Sequence, residues 1–410
     1  MMRWRRMQSG ERSRDGGDGG HRAAEVFAAF LRLGLTSFGG PVAHLGFFRQ
    51  AFVHERGWLD ERSYAELVAL CQFLPGPTSS QVGFAVGLHR GGVLAACLGS
   101  FAFTLPSAAL MVALGLGVAA ADIGDWEPLF QGFKAAAVAV VAWALWGMAR
   151  TLCPDGRTRL LALLACGVVL VAPTLAGQLA AIALGAAAGG AVIQWRPDEG
   201  GAPAPLAVRL GRRGATAAAV AFAGLLAGLP LLAALVGGVP LVLADALYRA
   251  GALVFGGGHV VLPLLQTAVV EPGLIDTERF LAGYGLAQAL PGPLFAFGGY
   301  IGAVAGGLGL ALLGTIAVFL PGFLLVLALL PLWERLRADP RVRRPLAGVD
   351  AAVVGILAAA LWDPVLRHGV TTPGDGLIAA AALALLAWGR VPVWGIVAGC
   401  GLAAFGAATL

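Results

Sequence analysis

The chain has 410 residues, of which 58% are hydrophobic and a further 61 are glycine, while only 12% are charged, about half the share of an average soluble domain. A soluble fold is excluded, since Phe280 to Trp333 alone runs without a single Asp, Glu, Lys or Arg. The 28 basic residues against 23 acidic ones give a net +5, but they fall in short clusters between apolar runs and not on a solvated basic face, so nucleic acid is excluded as a partner.

The composition predicts an all-α polytopic membrane protein. Residues 1–24 carry Arg3, Arg5, Arg6, Arg12, Arg14 and Arg22 without an apolar stretch, which predicts a disordered cytoplasmic tail and no signal peptide. A first membrane repeat is expected over 25–195. Within it, the apolar segment 32–49 is interrupted by Gly39-Gly40-Pro41 and 67–88 by Pro75-Gly76-Pro77, so each reads as a crossing or as a re-entrant hairpin. The stretch 196–240 is read as a polar linker with Pro197, Pro203 and Pro205, followed by a connecting transmembrane helix; a second repeat covers 241–410. Cys71, Cys97, Cys153, Cys166 and Cys400 match neither a disulfide framework nor a metal spacing and are expected to pack.

The two repeats are visible in the sequence itself. Arg32-Leu33-Gly34 and Phe38-Gly39-Gly40 recur as Arg249-Ala250-Gly251 and Phe255-Gly256-Gly257, and Gln72-Phe73-Leu74-Pro75-Gly76-Pro77 recurs as Gln288-Ala289-Leu290-Pro291-Gly292-Pro293. Further on, Gly91-Gly92 and Leu105-Pro106 match Gly306-Gly307 and Leu320-Pro321, and Gly132 matches Gly348. One extra helix between the copies inverts the second. Loop charges agree, because Asp122, Asp125 and Glu127 lie where the second copy has Arg337, Arg341, Arg343 and Arg344. The same bias puts the N-terminus in the cytoplasm and the C-terminus outside, with about nine to thirteen crossings depending on how the broken segments are counted.

Few residues stand out as chemistry. Each Pro-Gly-Pro motif must break its helix in mid-membrane, and the N–H groups of the helix that restarts, with the positive end of its dipole, form an anion site; the bland alternative is a proline kink. After Pro75, Gly76 and Pro77 come Thr78, Ser79, Ser80 and Gln81, whose hydroxyls and amide suit a tetrahedral oxyanion. After Pro291, Gly292 and Pro293 come Leu294, Phe295, Ala296 and Phe297, which predicts a structural role for the second motif. Arg32 and Arg249 are candidate substrate clamps or snorkelling arginines, and Gly39, Gly40, Gly256 and Gly257 are candidate site walls or packing glycines. Lys134 and Asp350, at equivalent places in the repeat, are a candidate gating pair or two interfacial charges. Glu66 is a candidate proton carrier or the end of a capping box started by Ser63, and His44 and His259 are candidate titrating groups or simple hydrogen-bonding ones. No catalytic residue, metal or other cofactor is expected, because His21, His44, His54, His89, His259 and His368 show no ligand spacing and no nucleophile with its base is apparent.

Phe38-Gly39-Gly40-Pro41, Trp58-Leu59, Gln72 to Pro77, Phe255-Gly256-Gly257-Gly258-His259 and Gln288 to Pro293 together resemble the signature blocks of the chromate ion transporter family, in its long form with two homologous halves in one polypeptide. The resemblance implies an inner-membrane carrier that exports chromate from the bacterial cytoplasm by ion-motive coupling, confers chromate resistance, and meets sulfate as a competing analogue. Its expected partners are a chromate or sulfate-like oxyanion and the lipid bilayer, with a homodimer left open. A carrier of sulfate or another oxyanion is the alternative within the class, and a membrane-embedded enzyme or a structural or channel protein the alternative outside it.

Overall fold

In a bilayer every backbone N–H and C=O must be satisfied by the chain itself, so uninterrupted apolar runs become helices and each Pro or Gly cluster becomes a helix end. The computed structural model describes residues 18–37, 40–120, 127–193, 211–254, 261–333 and 339–408, and all regular structure among them is helical. In the first half, α1 (Asp18–Thr36) stops before Phe38-Gly39-Gly40, and α2 (Gly40–Arg49) resumes and widens into a π turn, Gln50–Glu55. Next, α3 (Glu61–Phe73) ends at the Pro-Gly-Pro motif and α4 (Thr78–Ala120) restarts beyond it. Gly91 and Gly92 are not helical, the latter at φ 78°, so α4 is two arms, 78–90 folded back on 93–120. The first arm and α3 are each about 20 Å long, short of the roughly 30 Å hydrocarbon core. α5 (Glu127–Leu152), α6 (Gly156–Val171) and α7 (Leu175–Val192) follow.

The connecting helix α8 (Arg212–Val236) leaves Leu231, Leu232, Leu235 and Val236 exposed, an apolar face suited to lipid. The second half then comprises α9 (Val239–Leu253), α10 (Val261–Val270), α11 (Thr277–Ala289), a 3₁₀ turn (Leu294–Ala296), α12 (Phe297–Gly306), α13 (Leu308–Leu329), α14 (Pro340–Ala360), α15 (Pro373–Trp388) and α16 (Val393–Ala408). Gly307, at φ 83°, turns α12 back on α13 as Gly92 turns the arms of α4. Among the described residues, five stretches are long and apolar enough to cross a membrane: α4, α5, α8, Leu308–Leu332 and Arg341–Gly369.

Helix caps keep the repeat's register with one correction. Asp60 caps α3 through Ser63 N at 2.7 Å, and Asp276 caps α11 through Arg279 N at 2.8 Å. Ser63 is therefore not the N-cap that its spacing to Glu66 suggests. An aspartate upstream already accepts from the third N–H, and starting there places Glu61 at the positive end of the dipole.

The halves are interlocked. α5 packs on α15 and α16 of the second half, while α14 packs on α6 and α7 of the first. Glycines make both approaches close: a Cβ on Gly132 of α5 would lie 2.7 Å from the Cα of Gly401 in α16, and one on Gly348 of α14 would lie 2.7 Å from the Cα of Gly189 in α7. Each half thus lends its α5-type helix to the other's terminal pair.

Candidate functional site

The two Pro-Gly-Pro motifs meet the opposite half in the same way. Proline has no N–H, so the central glycine holds the only donor of each motif. Gly76 N donates to Val254 O at 2.6 Å, and Gly292 N donates to Ser37 O at 2.9 Å. Val254 and Ser37 each stand just before a Phe-Gly-Gly break, so each break is pinned to the other half's motif. Both glycines need a conformation that other residues avoid, φ 129° at Gly76 and 93° at Gly292. Neither has room for a side chain: a Cβ on Gly76 would lie 3.1 Å from Gly322 Cα and one on Gly292 would lie 2.8 Å from Ser107 Oγ. Gly322 and Ser107 follow Pro321 and Pro106, so the residue after the proline of each long helix sits against the other half's motif.

Beyond the first motif the α-helix starts at once, with Gln81 N donating to Pro77 O at 2.9 Å. The N–H groups of Thr78, Ser79 and Ser80 have no carbonyl one turn behind them. Pro77 and all four residues Thr78, Ser79, Ser80 and Gln81 are buried. Gln81 Nε2 bridges the halves, donating to Pro75 O at 2.9 Å and Gly322 O at 3.3 Å. The Oγ atoms of Ser80 and Ser37 and the Oε1 of Gln81 are buried without a hydrogen-bond partner. His44, 1% exposed on α2, brings Nδ1 to 3.2 Å from Ser79 Oγ and Nε2 to 3.2 Å from Ser37 O. Buried hydroxyls at a helix start, with no carboxylate among them, can chemically accommodate an anion.

Beyond the second motif the chain tightens into the 3₁₀ turn, where Ala296 N donates to Pro293 O at 3.0 Å. Leu294, Phe295, Ala296 and Phe297 are all buried, and Phe297 meets Phe280, Tyr284 and Tyr300 with ring centroids 5.2, 6.0 and 5.6 Å away. This restart is apolar core.

Gly40 opens α2 at φ 75°, whereas Gly39, Gly256, Gly257 and His259 lie outside the described residues. Arg32 is exposed on α1. Arg249, its counterpart, is ion-paired with Asp245 one turn earlier on α9, so its charge has a carboxylate of its own. Lys134 is buried on α5 with its backbone against Gly369, while Asp350 has Arg343 as its charged neighbour, and no ion pair joins Lys134 to Asp350. Glu66 accepts from Trp333 Nε1 of the second half at 3.1 Å. A cavity of about 520 Å³ opens elsewhere, bordered by Pro173, Gln178, Thr267 and Trp362, and shares no residue with either motif.

Sequence reasoning missed Ser37, Ser107 and Gln81's reach to Gly322. The recurring register pointed to their neighbourhoods, because Ser37 precedes a repeated Phe-Gly-Gly and Ser107 follows a repeated Leu-Pro, but not to which half each would touch.

A family model described as "Chromate transporter" matches residues 24–191 and 241–405, which covers both repeats. The chain is 32% identical over 382 residues to a "Chromate transport protein" of Pseudomonas aeruginosa, spanning 89% of this chain and 87% of that one. It is 32% identical over 363 residues to the protein of the same name in Cupriavidus metallidurans, spanning 87% and 86%. A "Probable chromate transport protein" of Synechococcus elongatus is 30% identical over 339 residues, spanning 81% and 82%. No solved structure is matched.

Proposed function

This chain belongs to the chromate transporter family, and from that premise we propose that it is an ion-coupled carrier exporting chromate from the cytoplasm across the bacterial inner membrane. The two halves lie inverted about the membrane plane, with the N-terminus inside and the C-terminus outside, and sulfate competes for the same site. Chromate is a tetrahedral oxyanion that needs several converging donors and little else. The observation that carries the reading is the first restart, where buried Ser79 and Ser80 hydroxyls stand at the start of an α-helix whose leading N–H groups have no partner in the helix.

A broken helix pinned to the opposite half also provides a means of alternating access. If the reciprocal bonds of Gly76 and Gly292 hold one arrangement of the halves, a rocking motion about the Pro-Gly-Pro pair exposes the site first to one side and then to the other.

The test is transport of labelled chromate into inverted vesicles, normalised to protein in the membrane. Each hydroxyl donor to a charged ligand contributes roughly 1.5–3 kcal/mol, so Ser79→Ala with Ser80→Ala raises half-saturation at least tenfold with expression little changed. Leu294→Ala with Phe295→Ala lowers stability or turnover and leaves half-saturation nearly intact. Equal loss of affinity in both variants would mean a site shared by both motifs. An effect confined to the second variant would overturn the assignment.

A further inference from the structure

His44 joins the two motifs into one chain of hydrogen bonds. Its Nε2 faces the Ser37 carbonyl, which also accepts from Gly292 N, and its Nδ1 faces Ser79 Oγ. A carbonyl only accepts, so the ring proton is on Nε2. With one proton on the ring, Nδ1 is an acceptor and the Ser79 hydroxyl must donate to it. Ser79 then turns lone pairs toward any ligand, the wrong polarity for an oxyanion. A second proton on the ring reverses this, because Nδ1–H donates to Ser79 Oγ and the serine's own proton is released toward the ligand.

We propose that His44 is a positioning residue that links oxyanion binding to proton binding: protonation at Nδ1 converts Ser79 from a captive donor into a donor for the ligand, and the bound oxyanion holds that proton on the ring. The inference rests on the first restart being the oxyanion site. The proton comes from the aqueous phase, one N–H bond forms, and the Ser79 O–H only rotates.

The surroundings leave the ligand as the counter-ion. On its own helix His44 stacks on Phe48, and from the second arm of α4 it meets the edge of Phe103. From α3, Tyr64 donates to Leu45 O, Glu66 accepts from Trp333 and Cys71 is buried. The charges nearest along α2 and α4 are committed elsewhere, Arg49 to Glu61 and Arg90 to Glu25. Among the described residues the ring has hydrogen-bond contacts with Ser79 and Ser37 and makes no ion pair. An imidazolium there therefore gains its partner only when an anion docks, and by linkage the anion gains as much from the proton.

The probe is selenate, a tetrahedral dianion of chromate's shape that carries no titrating proton between about pH 6 and pH 8; a buried ring without a charged partner is neutral in that range, so a proton taken up there is one that the bound anion holds. With full-length protein in liposomes, half-saturation of the wild type falls roughly tenfold from the higher to the lower pH. His44→Gln, whose amide keeps a donor for Ser37 O, binds selenate with the same half-saturation at both. A wild type without pH dependence, or His44→Gln with the wild-type slope, overturns the relay while leaving the site intact. Should His44→Gln fail to fold, proton uptake from a weakly buffered solution of wild-type protein on adding selenate decides: uptake supports the relay, and none overturns it. Failure of the wild type to bind selenate at either pH, or insensitivity of binding to Ser79→Ala with Ser80→Ala, would remove the site reading and the relay together.

Discussion

At the first Pro-Gly-Pro break the chain restarts with Thr78, Ser79, Ser80 and Gln81 as a full α-helix; at the second it restarts with Leu294, Phe295, Ala296 and Phe297 through a tighter 3₁₀ turn. The backbones before the restarts do the same work, each glycine donating to the carbonyl ahead of the opposite half's Phe-Gly-Gly. The side chains after them do different work. A duplicated frame needs both copies of its backbone hydrogen bonds, since an unsatisfied amide in the membrane interior costs several kcal/mol. It needs polar side chains only where a ligand meets them. The comparison teaches that backbone geometry repeats while recognition is free to reside in one copy.

The largest test of that comparison is to cut the frame in two. With α5 and α14 exchanged between halves, residues 1–210 and 211–410 produced alone should not accumulate in membranes, and producing them together should restore both accumulation and transport. A first half that is stable alone would show that the reciprocal contacts are dispensable. Next comes Phe297→Ala, the counterpart of Gln81 in the repeat. It removes a ring packed on three others and should cost about 3–5 kcal/mol, read as a collapse of the thermal midpoint in detergent. Gln81→Ala should not approach that loss.

Gly76→Ala and Gly292→Ala should then cost similar amounts, at least about 2 kcal/mol each, because both combine a left-handed backbone with a crowded Cβ position. A benign Gly292→Ala beside a damaging Gly76→Ala would break the claim that the two backbones share one role. The smallest effect is expected at the tie between α3 and Trp333, which lies just beyond α13. Trp333→Phe forfeits the bond to Glu66 and should cost about 1 kcal/mol with transport kept. If Glu66→Gln abolishes transport at normal expression, Glu66 is more than a tether and the second half contributes to coupling.

Local chemistry made much of the molecule legible in advance. Proline cannot donate and bars its predecessor from the helix, so the ends of α3 and α11 and the restarts after Pro77 and Pro293 follow from composition alone. The polarity contrast between Ser79-Ser80 and Phe295-Ala296 is likewise a property of the sequence. The cap of α3 is not legible in the same way, because Asp60 and Ser63 are both competent caps and spacing alone does not rank them; the helix extends to the earlier one.

What the sequence by itself determined is the set of helices, their breaks and their twofold repetition, all consequences of interactions within a few residues or of a register that recurs. Only the tertiary structure decided which parts would touch: Gly76 and Val254, Gly292 and Ser37, His44 and Ser79, and α5 with α15 and α16. The physical reason is that a helix apolar on every side carries no stripe to announce its buried face, unlike a helix of a soluble protein. Its partners are chosen by glycines that permit close approach and by single hydrogen bonds made across some 200 residues of chain, and neither leaves a periodic mark along the sequence.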